Sequence, residues 1–207
     1  MIKPKLIIIA GSPGSGKSTF SKLFKDNIVI YNYDDILNEN FNLLSPNFKI
    51  EEKKQIAHDY TERYIKKQIE KCVKLNLDYY HESNLDEPLI SLPKSLPEHF
   101  RSFNYQIELY FLCLESKERA KERVAKRKVG GGHFVSDEKV DNKYELGYQN
   151  LNQYWNFFDS IKLFETSNSI PSLDDYFLKI ENGKLTFINN FPNYLKSLIP
   201  NIEKLVI

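Results

Sequence analysis

A chain of 207 residues with 41% hydrophobic and 28% charged side chains can enclose one α/β domain with a real core, and its net charge of +1 excludes a global pull toward nucleic acid or an anionic membrane. Cys72 and Cys113 stand alone without a C-x-x-C pair, so neither a disulfide framework nor a zinc site is expected, and reduced, buried thiols in a cytoplasmic protein account for both. Lys3 and Lys5 precede an apolar run that stops at Gly11, too short for a secretory core or a membrane span, and no later stretch is apolar enough to span.

Lys5-Leu6-Ile7-Ile8-Ile9-Ala10 has the apolar, β-branched pattern of a buried parallel strand. It runs into Gly11-Ser12-Pro13-Gly14-Ser15-Gly16-Lys17-Ser18, which fits G-x-x-x-x-G-K-S/T, and Thr19-Phe20-Ser21-Lys22-Leu23-Phe24 then opens a helical pattern. Average residue usage gives such a match in a chain this long on the order of one time in a hundred. The order strand, glycine loop, helix is the one a phosphate-binding loop requires. Asn27 to Tyr31 reads as a second strand. A long helix is expected from about Glu51 to Leu75, with Ile56, Tyr60, Tyr64, Ile69, Cys72 and Val73 on its core face. Asp78 to His81 reads as a third strand ending at Glu82. The stretch from Asn84 to Glu98 contains Pro88, Pro93 and Pro97 and reads as loop with short helical turns. Gln106 to Leu114 predicts a fourth strand, Ser116 to Lys128 a charged helix, Ser136 to Phe158 another, and Ile161 to Phe164 a fifth strand. Asn182-Gly183 between Tyr176–Glu181 and Lys184–Ile188 is a hairpin signal, and Pro192 onward predicts a terminal helix interrupted by Pro200. The fold class is therefore α/β, a doubly wound, mainly parallel sheet of P-loop NTPase, nucleoside-kinase-like architecture. Residues 1–170 form the P-loop domain, and residues 171–207 append a C-terminal β-hairpin and helix to it.

Ligands of an open parallel sheet sit beyond the carboxyl ends of its strands. The loop itself, Asn32-Tyr33-Asp34-Asp35 after the second strand and His81-Glu82-Ser83-Asn84 after the third should meet there. Lys17 can reach β and γ phosphates, and the Ser18 hydroxyl can ligate Mg²⁺. Asp34 is positioned to take the proton of an attacking hydroxyl; capping the next helix is its competing use, and Asp35 competes for either task. Glu82 can hold a Mg²⁺-bound water or orient an acceptor, because Mg²⁺ keeps several waters and needs few protein ligands. Strand alternation turns His81 to the opposite face as a packing residue. Arg119, Arg123 and Arg127 share one helix face. Of eight glycines, three lie in the phosphate loop and three at Gly130-Gly131-Gly132, directly before His133. A basic helix on a glycine hinge predicts a lid over about 116–136 whose arginines neutralise a transferring phosphoryl group. Pairs Glu115–Arg119 and Glu122–Lys126 are the bland use of the same helix. His133 has no partners at metal spacing and is expected to touch phosphate or acceptor. Asn142-Lys143-Tyr144-Glu145 departs from N-K-x-D at its last residue and sits in a helix, which argues against a GTPase.

Taken together, the loop Gly11–Thr19, the segment Asn32-Tyr33-Asp34-Asp35-Ile36, the strand ending in Glu82-Ser83, and Arg123-Val124-Ala125-Lys126-Arg127 followed by Gly131-Gly132-His133-Phe134-Val135 resemble the zeta-toxin family of P-loop kinases, especially its compact bacterial members. The resemblance covers about Leu6 to Ser169. It implies ATP-dependent phosphorylation of a small hydroxyl acceptor, in zeta toxins the 3′-hydroxyl of the amino sugar of UDP-N-acetylglucosamine. That product poisons cell-wall synthesis, and a small antitoxin protein blocks the kinase. It further implies that residues Gly11 to Thr19 bind ATP, with Lys17 and Ser18 on phosphate and Mg²⁺. Asp34 is the implied base, and Arg123 or Arg127 the lid arginine. The chain departs from the family pattern at Lys143-Tyr144, where Arg-Tyr is frequent. It departs again at Glu165-Thr166-Ser167-Asn168-Ser169 for Asp-Asn-Ser, and at Ser83 for Thr.

The expected activity is that of a cytoplasmic, ATP- and Mg²⁺-dependent phosphotransferase acting on an alcohol group. Lys17, Asp34, Arg123 and Arg127 would be catalytic. Asp34, Glu82, Ser83, Asn84 and His133 would bind the acceptor, and Ser18 and Glu82 would serve the metal. The alternatives are a nucleoside or polynucleotide 5′-kinase, against which the scattered tyrosines count, and a non-catalytic ATP-binding switch, which would need neither Asp34 nor the lid arginines.

Overall fold

The computed structural model describes residues 3–24, 28–87, 95–129 and 135–206. The strands are β1 (Lys5–Ala10), β2 (Ile30–Asn32), β3 (Tyr79–Ser83), β4 (Gln106–Cys113), β5 (Ser160–Glu165), β6 (Leu178–Glu181) and β7 (Lys184–Ile188). They form a seven-stranded sheet in the order β2-β3-β1-β4-β5-β6-β7. The run β2 to β5 is parallel. β6 and β7 add to it antiparallel. The helices are α1 (Lys17–Ser21), α2 (Tyr33–Leu43), α3 (Ile50–Leu75), α4 (Leu96–Ser102), α5 (Lys117–Val129), α6 (Asp137–Tyr154), α7 (Leu195–Leu198) and α8 (Pro200–Glu203). This is the doubly wound, mainly parallel α/β architecture expected from the sequence.

Both faces of β1 are buried, which is why the strand has no polar alternation. Leu6, Ile8 and Ala10 enter the larger core beside Leu109, Phe111, Tyr144 and Tyr148. Ile7 and Ile9 enter a smaller one with Phe20, Leu112 and Phe164. Each of the leucine, isoleucine and phenylalanine side chains contributes roughly 1.5–3 kcal/mol on leaving water. On the larger side, α6 turns Val140, Tyr144, Tyr148 and Leu151 inward at helical spacing. The register pairs Asn32 with Glu82, Ala10 with both Ser83 and Phe111, and Cys113 with Glu165. The carboxyl ends of five strands thus share one edge.

Three expectations need correction. The second strand starts three residues late, at Ile30, and Val29 before it is exposed; an edge strand needs little length. α3 runs as expected, but Tyr60 and Tyr64 face solvent, 53% and 45% exposed. Its buried positions are Ala57, Thr61 and Cys72. Small residues at 57 and 61 let α2 approach, and Asn40 Nδ2 donates to Thr61 Oγ1 at 2.9 Å. The helix expected to reach Phe158 stops at Tyr154 and tightens into a 3₁₀ turn, Trp155–Phe157. Elsewhere Asn182 and Gly183 hold φ of 49° and 73°, the left-handed pair that a two-residue hairpin turn needs. Pro200 starts a second short C-terminal helix. Among the described residues no helix is long and apolar enough to cross a membrane.

Candidate active site

The segment between β1 and α1 closes on itself. Ser15 N donates to Ser12 O at 3.1 Å, and the N–H groups of Thr19 and Phe20 donate to Gly16 O. Gly14 has φ of 80°, and a Cβ there would lie 2.7 Å from Ala120 O. The loop and α5 therefore meet backbone to backbone, a distance only glycine permits. The Ser12 and Ser15 hydroxyls are buried without partners. Unsatisfied donors inside a loop of this shape fit an incoming anion, since a buried hydroxyl left without a partner is costly.

Lys17 lies over the loop. Its Nζ donates to Gly11 O at 2.7 Å, Ser12 O at 3.0 Å and Asn84 Oδ1 at 2.9 Å. Burial pushes its pKa down to about 8; Glu82 opposes that, and Lys143 and Arg127 add to it. Ser18 Oγ donates to Glu82 Oε1 at 3.1 Å. That bond uses the one proton of the hydroxyl and leaves its lone pairs for a cation, so Ser18 and Glu82 fit a Mg²⁺ site. Glu82 is 8% exposed and also accepts from Ser21 Oγ at 3.2 Å and from Asn32 Nδ2 at 2.9 Å. One carboxylate so joins α1, β2 and β3.

Asp34 and Asp35 occupy the first turn of α2 and are exposed. Asn32 caps that helix, its Oδ1 accepting from Asp35 N at 3.3 Å. The capping task that Asp34 could have filled is taken. Among the described residues no hydrogen bond or ion pair engages either carboxylate. Asn38 Nδ2 donates to Asp34 O at 2.5 Å.

After β3 the chain turns sharply. Ser83 Oγ accepts from Leu85 N at 3.0 Å, and Leu85 holds φ of 59°. Asn150 on α6, 7% exposed, donates to Leu85 O at 2.8 Å and Glu87 O at 3.2 Å. At Gly147 a Cβ would fall 2.9 Å from Asn84 O, so α6 packs directly on this turn. Lys143 pairs with Asp86 at 3.2 Å. Ser83 and Asn84, expected to face an acceptor, are here committed to the turn and to Lys17.

The three arginines of α5 separate by role. Arg119 donates to Ser167 O at 3.3 Å and pairs with Glu122 at 3.4 Å and, loosely, with Glu115 at 3.9 Å. Arg123 donates to Thr166 O at 2.7 Å, Ser167 O at 2.8 Å and Gly14 O at 3.3 Å. It braces the phosphate loop against the segment after β5. Arg127 is exposed, and its charge reaches Lys17. Gly130 to Gly132 and His133 lie outside the described residues, whereas the helical part of the expected lid is α5.

Of three further site-building side chains, the sequence places Asn32 at this edge without a role, and does not single out Ser21 or Asn150. Two left a local signal: Asn before a predicted helix is a capping residue, and Ser21 lies three positions after Ser18 on one helix face. Asn150 left none, because its partners lie 63 and 65 positions away.

Beside α2 a cavity of about 320 Å³ is lined by Leu37, Asn38, Phe41, Lys54 and His58. Helical spacing puts Asp34 on the same side of α2 as Leu37, Asn38 and Phe41. A second cavity, about 390 Å³, lies between α3 and α4 against Ile65, Ile69 and Leu96.

A family model described as Zeta toxin matches residues 1–170. Among solved structures, one similar chain comes from the PezAT chromosomal toxin–antitoxin system of the human pathogen Streptococcus pneumoniae. It is 15% identical, with a TM-score of 0.57, and the match covers 100% of this chain and 87% of that one. Another is a candidate kinase of Chloroflexus aurantiacus, 18% identical with a TM-score of 0.51, matching 69% of this chain and 76% of that one. At these identities the two likenesses speak to the fold. No curated protein matches the sequence.

Proposed function

Because the chain belongs to the zeta-toxin family, and so has a P-loop kinase-type function, we propose that it transfers the γ-phosphate of ATP to a hydroxyl of a nucleotide sugar, with UDP-N-acetylglucosamine as the first candidate. We place this activity in the cytoplasm, under the control of an antitoxin protein.

The observation that carries the reading is the hub at Glu82. It brings the phosphate-loop hydroxyl of Ser18 and the capped start of α2, which bears Asp34, onto one carboxylate. Bound Mg²⁺ would neutralise phosphate charge there, with Ser18 as its protein ligand and Glu82 holding Ser18 and a metal-bound water. Lys17 would turn from the carbonyls of Gly11 and Ser12 to the β and γ phosphates. Asp34, exposed and uncommitted, would accept the proton of the acceptor hydroxyl. The acceptor would lie in the groove beside α2, where Phe41 offers an apolar surface and Lys54 a cation for its diphosphate. Arg127 would stabilise charge on the transferring group while Arg123 holds the loop in shape. Such a site works by positioning and electrostatics, which is what a loose phosphoryl-transfer transition state asks of a protein.

The test is label transfer. Folded protein, Mg²⁺ and γ-labelled ATP are mixed with UDP-N-acetylglucosamine, nucleosides and a 5′-hydroxyl oligonucleotide in parallel. Label on the nucleotide sugar supports the proposal, and label on the oligonucleotide replaces its acceptor. Tight Mg–ATP binding with no label on any of them makes the protein a nucleotide-dependent switch.

A further inference from the structure

Packing holds the start of α2 only lightly, through Ile36, half-buried against the larger core. α2 buries no residue completely. It lies on α3 through Tyr33 Oη with His58 Nδ1 at 2.9 Å and Asn40 with Thr61 at 2.9 Å. These contacts fix the helix against another helix, not against the phosphate loop. The link to the loop runs through Asn32. Its amide oxygen caps α2, and its amide nitrogen donates to Glu82 Oε1.

Asn differs from the other good capping residues in a way that matters here. Ser and Thr cap with a hydroxyl on a short side chain, and Asp caps with a carboxylate that would stand against Glu82. Asn alone offers a capping oxygen and an N–H donor on one planar group. Glu82 has its own need for that donor. With Ser18 on Oε1 and Ser21 on Oε2, the amide of Asn32 completes the set that holds the carboxylate toward Ser18.

We infer that Asn32 is a positioning residue that couples the cation-holding carboxylate of Glu82 to the start of α2, so that filling the phosphate loop fixes the helix that carries Asp34. The inference rests on the proposed kinase reading. Asn32 touches neither phosphate nor acceptor in this role; it acts through Glu82 on one side and through the Asp35 N–H on the other.

The experiment is a double-mutant cycle read by binding, which needs no knowledge of the acceptor. Mg–ADP, and ADP in excess chelator, are titrated by calorimetry into the full chain as wild type, Asn32→Ser, Glu82→Ala and the double variant. Asn32→Ser keeps a capping oxygen and loses the reach to Glu82. The gain in affinity due to Mg²⁺ is expected to fall about tenfold in Asn32→Ser, the effect of one hydrogen bond to a charged group. It should fall no further in the double variant than in Glu82→Ala, because the two residues act as a unit. Amide exchange over residues 33–43 is the second readout. Mg–ADP should slow exchange at the α2 start in wild type and not in Asn32→Ser, a ligand-dependent difference that a plain capping role would not produce. Additive losses, or wild-type Mg²⁺ dependence in either single variant, overturn the coupling. Ligand-dependent protection that survives in Asn32→Ser overturns it as well. A folded wild type without Mg–nucleotide affinity overturns the kinase reading, and the coupling with it.

Discussion

Arg123 donates to three backbone carbonyls, those of Gly14, Thr166 and Ser167. Arg123→Ala should therefore act first on stability. Two of its bonds are short, at 2.7 and 2.8 Å, and the third, at 3.3 Å, is weak. Hydrogen bonds from a charged group are worth about 1.5–3 kcal/mol each, and exposure of the guanidinium reduces that, so a total near 3 kcal/mol is reasonable. In a domain of this size such a loss lowers the melting temperature by roughly 6–12 °C. Arg123→Lys should recover part of it, since a point charge reaches one carbonyl where the planar fork reaches several. Arg127→Ala supplies the contrast. Its exposed side chain should cost within about 0.5 kcal/mol of stability, while phosphoryl transfer falls on the order of 10²-fold or more. Thermal unfolding followed by circular dichroism, beside transfer rates at saturating ATP, separates the two. An Arg123→Ala protein that melts like wild type and matches Arg127→Ala in rate would refute the brace.

Further expectations follow from the same geometry. Asp34→Asn should lose about 10²–10⁴-fold in transfer rate while Mg–ATP still binds, and full activity in that variant removes Asp34 as base. Lys17 has a pKa near 8, so its charge drains away between pH 7 and 9. Mg–ATP affinity should fall about tenfold for each pH unit above that pKa, and a flat calorimetric profile across this range contradicts the placement of Lys17. His81 is held down to about 4 by burial, from 6.5, and its Nδ1 has no partner. The unfolded chain then binds the extra proton between those values. Its contribution is complete above about pH 6.5 and is lost as pH falls toward 4, by up to about 3 kcal/mol. Urea titrations should show a shallower acid slope for His81→Leu, and an unchanged slope would shift the cause elsewhere.

Legibility followed the range of the forces involved. The strand Lys5–Ala10, the loop after it and the Asn182-Gly183 turn were readable because each is specified by neighbours in sequence: burial on both faces, backbone freedom, left-handed φ. Convergence of Lys17, Ser18 and Glu82 was readable from the rule that parallel strands present their carboxyl ends together. The buried stripe of α3 was misjudged at Tyr60 and Tyr64 because periodicity reports an apolar side and not whether a neighbour covers it. Beside an edge strand three residues long, that side stays open. The contacts of Arg123 were hidden for a related reason. A helix face shows where a guanidinium starts, and only the fold reveals that the carbonyls of Thr166 and Ser167 lie within its reach.

The family match ends at residue 170, whereas the sheet does not. Backbone groups of β5 are paired by β6, from Ser160 opposite Glu181 to Leu163 opposite Leu178. Tyr194, from the last stretch, donates its hydroxyl proton to Glu165, which also receives Ser167 N. Trimming the protein to the matched length would leave a naked, apolar border of Ile161 and Leu163 ready to zip onto another molecule. The same cut would untether the corner on which Arg119 and Arg123 rest. The tail is thus both hem and anchor: it moves the raw selvedge out to a strand guarded by Lys184, and it pins from behind the wall against which the nucleotide loop leans.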